Sequence, residues 1–116
     1  MSTGSPILDL LNDLLRGCGV EDRKIELFGI LRDIAREMAE GNVTEQEIVK
    51  DLRDLAGAIA VFRQRAGLST DIDKVVERLL NALKLESATF SLESVRRRIT
   101  ARRRARREEG RRVGLF

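Results

Sequence analysis

The sequence lacks most of the side chains on which catalysis and metal binding depend. It has no His, Trp or Tyr among its 116 residues, and only one Cys. The commonest general base and metal ligand is therefore missing. Cys18 cannot form an internal disulfide, and only Arg16 and Arg23 stand near enough in sequence to favour its thiolate. No pair of carboxylates, phosphate-binding glycine loop or nucleophile motif stands out. We therefore expect a non-enzymatic protein without metal or cofactor, in which Cys18 is structural.

Long apolar runs are also absent. The longest, residues 55–62, is far shorter than the ~20 residues that a membrane-spanning helix needs. The first five residues lack the charged and apolar regions of a signal peptide. These absences predict a soluble, cytoplasmic protein without a membrane partner.

Asparagine and glutamine are scarce, with three and two copies, and Arg outnumbers Lys eighteen to four. Few thermolabile amides suit a thermophilic source. An arginine bias is equally typical of a GC-rich genome, so both explanations stay open.

What the chain does have is an uneven charge distribution. Residues 96–112 contain ten Arg and two Glu, a net charge of +8, whereas the first 95 residues contain 12 basic and 17 acidic side chains, a net charge of −5. We therefore divide the chain into an acidic body, residues 1–95, and an arginine-rich arm, residues 96–116. A strongly basic segment indicates a polyanionic partner.

Helical signals begin at the amino terminus of the body. Ser5 followed by Pro6 predicts a capped helix start, and glycines at 17 and 19 predict its end. A second helix is expected from about Asp22 to Gly41. The predicted buried face of the first is Ile7, Leu8, Leu11, Leu14 and Leu15, and that of the second is Ile25, Phe28, Leu31, Ala35 and Met38.

The third helix has the most explicit start. Thr44 and Glu47 have the spacing of a capping box, and Gly67 marks the end. Small residues in the middle of this segment predict that another helix, from this chain or another, approaches closely at Ala56, Gly57 and Ala60. Its predicted apolar face is Ile48, Leu52, Leu55, Ile59 and Phe62.

Two further helices are predicted after Gly67. Ser69 or Thr70 would cap the fourth, a connector is expected at residues 86–89, and Ser91 would cap the fifth. The apolar face of the fourth is Ile72, Val75, Val76, Leu79, Leu80 and Leu83. In the fifth, Leu92, Val95 and Ile99 are followed by Arg102, Arg103 and Arg106, so its root should dock on the bundle and its distal part should leave it. No run has period two. The sequence predicts an all-α, compact bundle of four to five helices with a basic C-terminal helical arm.

Residues 62–83 resemble a helix-turn-helix motif, with a glycine-containing turn before the second helix. Arg63 stands where that motif needs a small residue, and Asp73 where it needs a buried apolar one. Asp71, Asp73 and Glu77 would also meet phosphates with the wrong charge. An ordinary helix–helix turn explains the same residues.

The arm favours nucleic acid as its partner. Its guanidinium groups would surround a helix, with too few apolar residues for a membrane-surface face. Arginine binds phosphate through two parallel hydrogen bonds. No aromatic residues are interleaved to stack on bases, so contacts to the backbone of RNA or DNA are expected. The predicted phosphate-binding residues are Arg96, Arg97, Arg98, Arg102, Arg103, Arg104, Arg106, Arg107, Arg111 and Arg112.

Other uses of the charge asymmetry remain open. The arm could be a solvated tail, could pair with the acidic body within one molecule or between copies of a homo-oligomer, or could dock on an acidic protein partner. The chain would in the last case be a helical subunit of an assembly, and Leu115 and Phe116 could insert into a partner's pocket. The same apolar end could equally be frayed.

Overall fold

The computed structural model describes residues 4–92, which form four helices and no strand. Helix α1 spans Pro6–Leu14, α2 spans Glu21–Glu40 and α3 spans Glu45–Arg65, and α4 covers residues 72–92. This arrangement confirms the all-α helical bundle. No helix in the described part is long and apolar enough to cross a membrane.

The two local caps predicted from sequence are present. Ser5 Oγ accepts a hydrogen bond from the Leu8 N–H at 3.2 Å, with Pro6 in the first turn of α1. Thr44 Oγ1 accepts one from the Glu47 N–H at 3.3 Å at the start of α3. Each satisfies an amide that the helix itself leaves without a partner.

The predicted buried face of α2 is partly wrong. Leu31 and Ala35 are buried as expected, but Ile25 is 67% exposed and Leu27 is buried instead. These two residues point about 160° apart around the helix. Residues 27, 31 and 35 follow one another at intervals of four, and it is this stripe that faces the core.

In α1 and α4, too, one residue of the predicted buried face is not buried. Leu10 is buried in α1, whereas the predicted Leu8 is only half-buried. Ile72, at the start of α4, is 42% exposed. The core formed by the four helices consists of Ile7, Leu10, Leu11, Leu14, Leu15, Leu27, Leu31, Ala35, Ile48, Leu52, Ala56, Ile59, Val75, Val76, Leu79, Ala82 and Leu83.

The small residues of α3 do not all serve close packing. Ala56 is fully buried, but a Cβ added to Gly57 would have no heavy atom within 4 Å. The predicted close approach of a helix at Gly57 is therefore wrong for the described part of the molecule, and Ala60 is only half-buried.

Helix α4 begins at residue 72, one or two residues later than predicted. Asp71, rather than Ser69 or Thr70, provides the cap, because its Oδ1 accepts hydrogen bonds from the N–H groups of Asp73 and Lys74 at 3.1 and 3.4 Å. A carboxylate also complements the positive end of the helix dipole.

The predicted connector at residues 86–89 is wrong, since these residues continue α4. The Ser87 hydroxyl donates to the Lys84 carbonyl at 2.9 Å, and the Thr89 hydroxyl to the Leu85 carbonyl at 3.4 Å. Hydroxyl groups that bond back to their own helix are compatible with continued helix. A fifth helix start at Ser91 is therefore also absent, because Ser91 lies inside α4.

Two side chains fasten the short helix α1 to the rest of the bundle. Glu86 of α4 is 5% exposed, and its Oε1 accepts hydrogen bonds from Ser5 Oγ at 2.8 Å and from the Ile7 N–H at 3.3 Å. At the other end of α1, Arg63 donates to the Leu14 carbonyl at 2.8 Å. An anion thus lies at the amino end of α1 and a cation at its carboxyl end, as its dipole favours.

Candidate nucleic-acid interface

The arm itself lies outside the described residues, which end at residue 92. What the structure positions is the last described turn of α4, from which the chain continues towards the arm. The predicted site residues outside the described part are Arg96, Arg97, Arg98, Arg102, Arg103, Arg104, Arg106, Arg107, Arg111, Arg112, Leu115 and Phe116.

The last described turn of α4 contacts α2 through arginine side chains that lie over a phenylalanine ring. The guanidinium carbons of Arg32 and Arg36 lie 5.1 and 5.4 Å from the centroid of the Phe90 ring. Arg32 also lies 5.6 Å from the Phe28 ring. A guanidinium within about 6 Å of an aromatic centroid is attracted by the ring. Two cations therefore lie beside the last described turn of α4.

Arg32 and Arg36 were not among the phosphate-binding residues predicted from the sequence. In the sequence these arginines stand beside Asp33 and Glu37, but no ion pair joins them to these acids in the described residues. The usable signal was the interval of four that places Phe28, Arg32 and Arg36 along one side of α2.

The Nε atom of Arg32 differs from the other polar atoms near Phe90. Arg32 Nε is shielded from solvent and has no hydrogen-bond partner in the described part of the chain. A buried donor without an acceptor carries a free-energy penalty. An incoming anion that reached this guanidinium would find it already partly stripped of water.

The neighbouring acids Asp33 and Glu37 line a groove on another side of α2. We call this the acidic groove: it lies between α2 and α3, has a volume of about 400 Å³ and combines four carboxylates with three apolar side chains. None of the four carboxylates belongs to an ion pair among the described residues. The groove is lined by Asp33, Glu37, Asp51, Asp54, Ile30, Ile34 and Leu55.

The body is therefore divided by charge. Neighbouring residues of a helix point about 100° apart, which separates Arg32 and Arg36 on the Phe90 side of α2 from Asp33 and Glu37 in the acidic groove. A phosphate backbone would be attracted to the first side and repelled by the second.

The remaining charged contacts fasten helices together. Arg78 of α4 pairs with Asp13 of α1 at 2.8 Å. The hydrogen bond from Arg78 holds the pKa of Asp13 below its ordinary value, helped by the positive charges of Arg16 and Arg63 and opposed by desolvation. The Asp13–Arg78 pair therefore links α1 to α4.

Arg63 holds the turn between α3 and α4 through hydrogen bonds. In the sequence this residue is notable only because it does not fit the helix-turn-helix motif. Its guanidinium donates to Thr70 Oγ1 at 2.8 Å and to the Ser69 carbonyl at 3.2 Å. The first turns of α4 expose Asp73 and Glu77. An acidic helix start of this kind is unsuited to a DNA groove.

The lone cysteine and the acidic side chains form no metal-binding cluster in residues 4–92. Cys18 is half-buried in the α1–α2 turn and packs against the core. No group of three or more His, Cys, Asp or Glu side chains in residues 4–92 could hold a metal ion.

Compared with protein-family models, with curated proteins and with solved structures, the chain gives no match.

Proposed function

We propose that this protein binds nucleic acid through its arginine-rich arm, by contacts to the phosphate backbone and without reading sequence. The observation that carries the proposal is the division of charge, with +8 in residues 96–112 against −5 in residues 1–95. A cytoplasmic location and the absence of enzymatic activity belong to the same proposal.

The described structure supports a role for the body in holding the arm. Helix α4 is continuous to residue 92, the last described residue, and its last described turn is packed on α2 through Phe90. A phosphate chain engaged by the arm would also come near Arg32 and Arg36. These two residues would add contacts to the backbone at the root of the arm.

The acidic groove would in turn limit which surface of the body faces the nucleic acid. Its four carboxylates repel phosphates at short range, and this repulsion is screened beyond about 10 Å at moderate salt. The bound polyanion would therefore run along the arm and the Arg32 side of α2.

Fluorescence anisotropy tests this proposal directly. Labelled duplex DNA, duplex RNA and single strands would be titrated against salt with the full chain and with a chain ending at Val95. We expect only the full chain to bind. With eight to ten phosphates neutralised, the log–log salt slope for duplex DNA would be about −7 to −9. Equal binding by both chains, or no binding by either at low salt, would contradict the proposal.

A second function is favoured by the acidic groove. Four carboxylates without basic partners beside Ile30, Ile34 and Leu55 suit a basic amphipathic helix. The chain would then be a helical interaction subunit, whose arm docks on an acidic surface of another protein or of another copy. Leu115 and Phe116 would add an apolar contact in such a partner.

A peptide comprising residues 96–112 distinguishes the two functions. If the arm docks on the acidic groove of another copy, this peptide should bind the chain ending at Val95, and an Asp51→Asn/Asp54→Asn version of that chain should bind it more weakly. Isothermal titration calorimetry in the absence of nucleic acid measures both. The matched control neutralises two exposed acids outside the groove, Glu45→Gln/Glu47→Gln.

A further inference from the structure

Phe90 attaches the last described turn of α4 to α2, and two arginines of α2 share its ring. Leu92, which the sequence predicts to dock on the bundle, is instead 61% exposed. The guanidinium carbons of Arg32 and Arg36 lie 5.1 and 5.4 Å from the Phe90 centroid. Like charges four residues apart on a helix repel each other. We call these three residues the Phe90 cluster, and its net charge is +2.

The guanidinium groups of the Phe90 cluster have no carboxylate partner in residues 4–92. Neither belongs to an ion pair there, although Asp33 and Glu40 lie three residues before and four residues after Arg36, at the spacing of helix ion pairs. Other arginines of the body, such as Arg23 and Arg78, do pair with carboxylates. Two positive charges of α2 are therefore left without a counter-charge within the described part.

Contact with an aromatic ring leaves a guanidinium free to bind an anion. The ring attracts the charge of the group but takes none of its five N–H donors into an ordinary hydrogen bond. Arg32 is half-buried, and its Nε is shielded from solvent without an acceptor in the described chain. Arg36 is exposed and gives a ligand access. A partly desolvated cation attracts an anion more strongly, because the local dielectric constant is low.

We propose that Arg32 and Arg36, held around Phe90, form a binding site for one phosphate group on the body of the protein. The choice of phosphate rests on the proposed function, which the site deepens by assigning one defined contact outside the arm. A guanidinium donates two parallel hydrogen bonds to phosphate oxygens. Two such groups balance the charge of a terminal phosphate, about −1.5 to −2 at pH 7. A backbone phosphate and a phosphorylated strand end share this chemistry.

Phe90 is a positioning residue in this site. Arg32 also lies 5.6 Å from the Phe28 ring, so two rings hold its guanidinium before a ligand arrives. A side chain that is already held loses less conformational entropy on binding. Lysine would keep each charge but lose the planar fork and the contact of that fork with the rings. Charge alone therefore does not make the site, which distinguishes it from the general attraction of a basic surface.

Nuclear magnetic resonance of arginine side chains in the full chain tests the site. Because Arg32 Nε is shielded, its proton should exchange slowly and give a resolved signal. Inorganic phosphate, replacing chloride at constant ionic strength, should shift this signal along a saturating curve. Arg65, an exposed arginine without an ion pair in residues 4–92, should shift less at every concentration. Equal shifts of the two arginines, or no shift at Arg32, would overturn the proposal.

Short oligonucleotides identify the source of the phosphate. Anisotropy would compare one strand with a 5′-phosphate and with a 5′-hydroxyl, on the full chain and on Arg32→Lys/Arg36→Lys. We expect this variant to bind about 3-fold more weakly or worse, because both forks are lost. A loss confined to the phosphorylated strand assigns the site to a strand end, and an equal loss on both strands assigns it to the backbone. Arg16→Lys/Arg65→Lys, which changes two exposed arginines elsewhere on the body, is the matched control.

The outcomes separate this site from the proposed function. Unchanged binding by Arg32→Lys/Arg36→Lys would overturn the site and leave the arm as the sole contact. No binding by the natural chain would overturn the proposed function, whereas the phosphate titration would still test the site. Phe90→Leu should weaken the phosphate shift at Arg32 and Phe90→Tyr should preserve it, with circular dichroism reporting the helix content of both. Equal phosphate shifts in the two variants would overturn the positioning role of the ring.

Discussion

Individual polar side chains connect the helices of this bundle, and Arg63 makes three such hydrogen bonds. Its guanidinium reaches the end of α1 at the Leu14 carbonyl and the α3–α4 turn at Ser69 and Thr70. Charge-assisted hydrogen bonds contribute more to stability than neutral ones. One half-buried residue thus fixes the positions of three helices.

Replacing Arg63 by Ala should lower the free energy of unfolding by about 2–3 kcal/mol, because hydrogen bonds to a charged group are lost and the partners that remain are only partly rehydrated. Urea unfolding followed by circular dichroism measures the change. Arg65→Ala, a neighbouring exposed arginine, is the control and should cost less than about 0.5 kcal/mol. Equal effects of the two changes would show that the three contacts of Arg63 do not matter in solution.

The Asp13–Arg78 pair should make a small contribution that depends on pH. Because the folded-state pKa of Asp13 is lowered from 3.8, its stabilising effect is present above that pH and is lost as pH falls below it through the folded value. Asp13 is 54% exposed, so solvent screening keeps the effect below about 1 kcal/mol.

Asp13→Asn should therefore unfold slightly more readily than the natural chain at neutral pH, and the difference should shrink as the pH falls well below 3.8. Urea unfolding across this range is the measurement, and added salt should reduce the neutral-pH difference. A difference that grew on acidification would mean that the sign of the pKa shift is wrong.

Among single side chains, the contacts that could be predicted from the sequence are the local ones. Ser5 and Thr44 each bond to an amide three residues ahead, and such spacing can be read directly from the chain. Glu86 instead accepts a hydrogen bond from Ile7, 79 residues away, and Arg63 donates one to Leu14, 49 residues away. No local pattern indicates which distant helix end a charged side chain will meet.

Among the helices, α2 and α3 each carry a glycine that nothing in the described structure requires. A Cβ at Gly29 or Gly57 would meet no heavy atom within 4 Å, and neither glycine has a positive φ. Gly41, at the end of α2, instead has φ +74°, a conformation that other residues adopt only with strain.

Gly29→Ala and Gly57→Ala should each raise the free energy of unfolding by up to about 1 kcal/mol. Alanine lowers the conformational entropy of the unfolded chain and has a higher helix propensity than glycine. Thermal and urea unfolding measure this. Gly41→Ala is the opposite control and should destabilise the protein. A destabilising effect of Gly57→Ala alone would indicate that another helix does approach there, as the small residues of α3 first suggested.

Helix α4 shows why the number of helices was hard to predict. Residues 86–89 include Ser87 and Thr89, which are typical of connectors and caps, yet their hydroxyls bond to carbonyls of the preceding turn. The buried contact of Glu86 with α1 also holds this part of α4 in the bundle. Tertiary contacts therefore override a local preference for a break.

For the whole molecule, composition predicted the charge asymmetry but not its arrangement on the body. In the sequence Arg32 stands beside Asp33 and Arg36 beside Glu37. The fold separates them, because Phe90 from a distant part of the chain holds both arginines and α3 brings Asp51 and Asp54 to the other side. Only packing of α2 between two helices reveals this separation.

The separation leads to a prediction that distinguishes the two proposed functions. Arg32→Gln/Arg36→Gln removes two cations near the root of the arm while the arm stays intact. If the polyanion runs along this side of α2, its affinity should fall about 5- to 10-fold or more at moderate salt, and the log–log salt slope should become shallower by about one to two units. Anisotropy with a labelled duplex measures both, and Arg23→Gln, an exposed arginine already paired with Glu26, is the control.

Neutralising the acidic groove completes the comparison. Asp51→Asn/Asp54→Asn should leave nucleic-acid binding nearly unchanged if the groove faces away from the polyanion, because charges more than about 10 Å apart are largely screened. A clear gain in affinity would have another cause: the arm would be occupying the groove and would be released by the change. That result, with no effect of the Arg32 and Arg36 changes, would favour arm-to-body docking over backbone binding along α2.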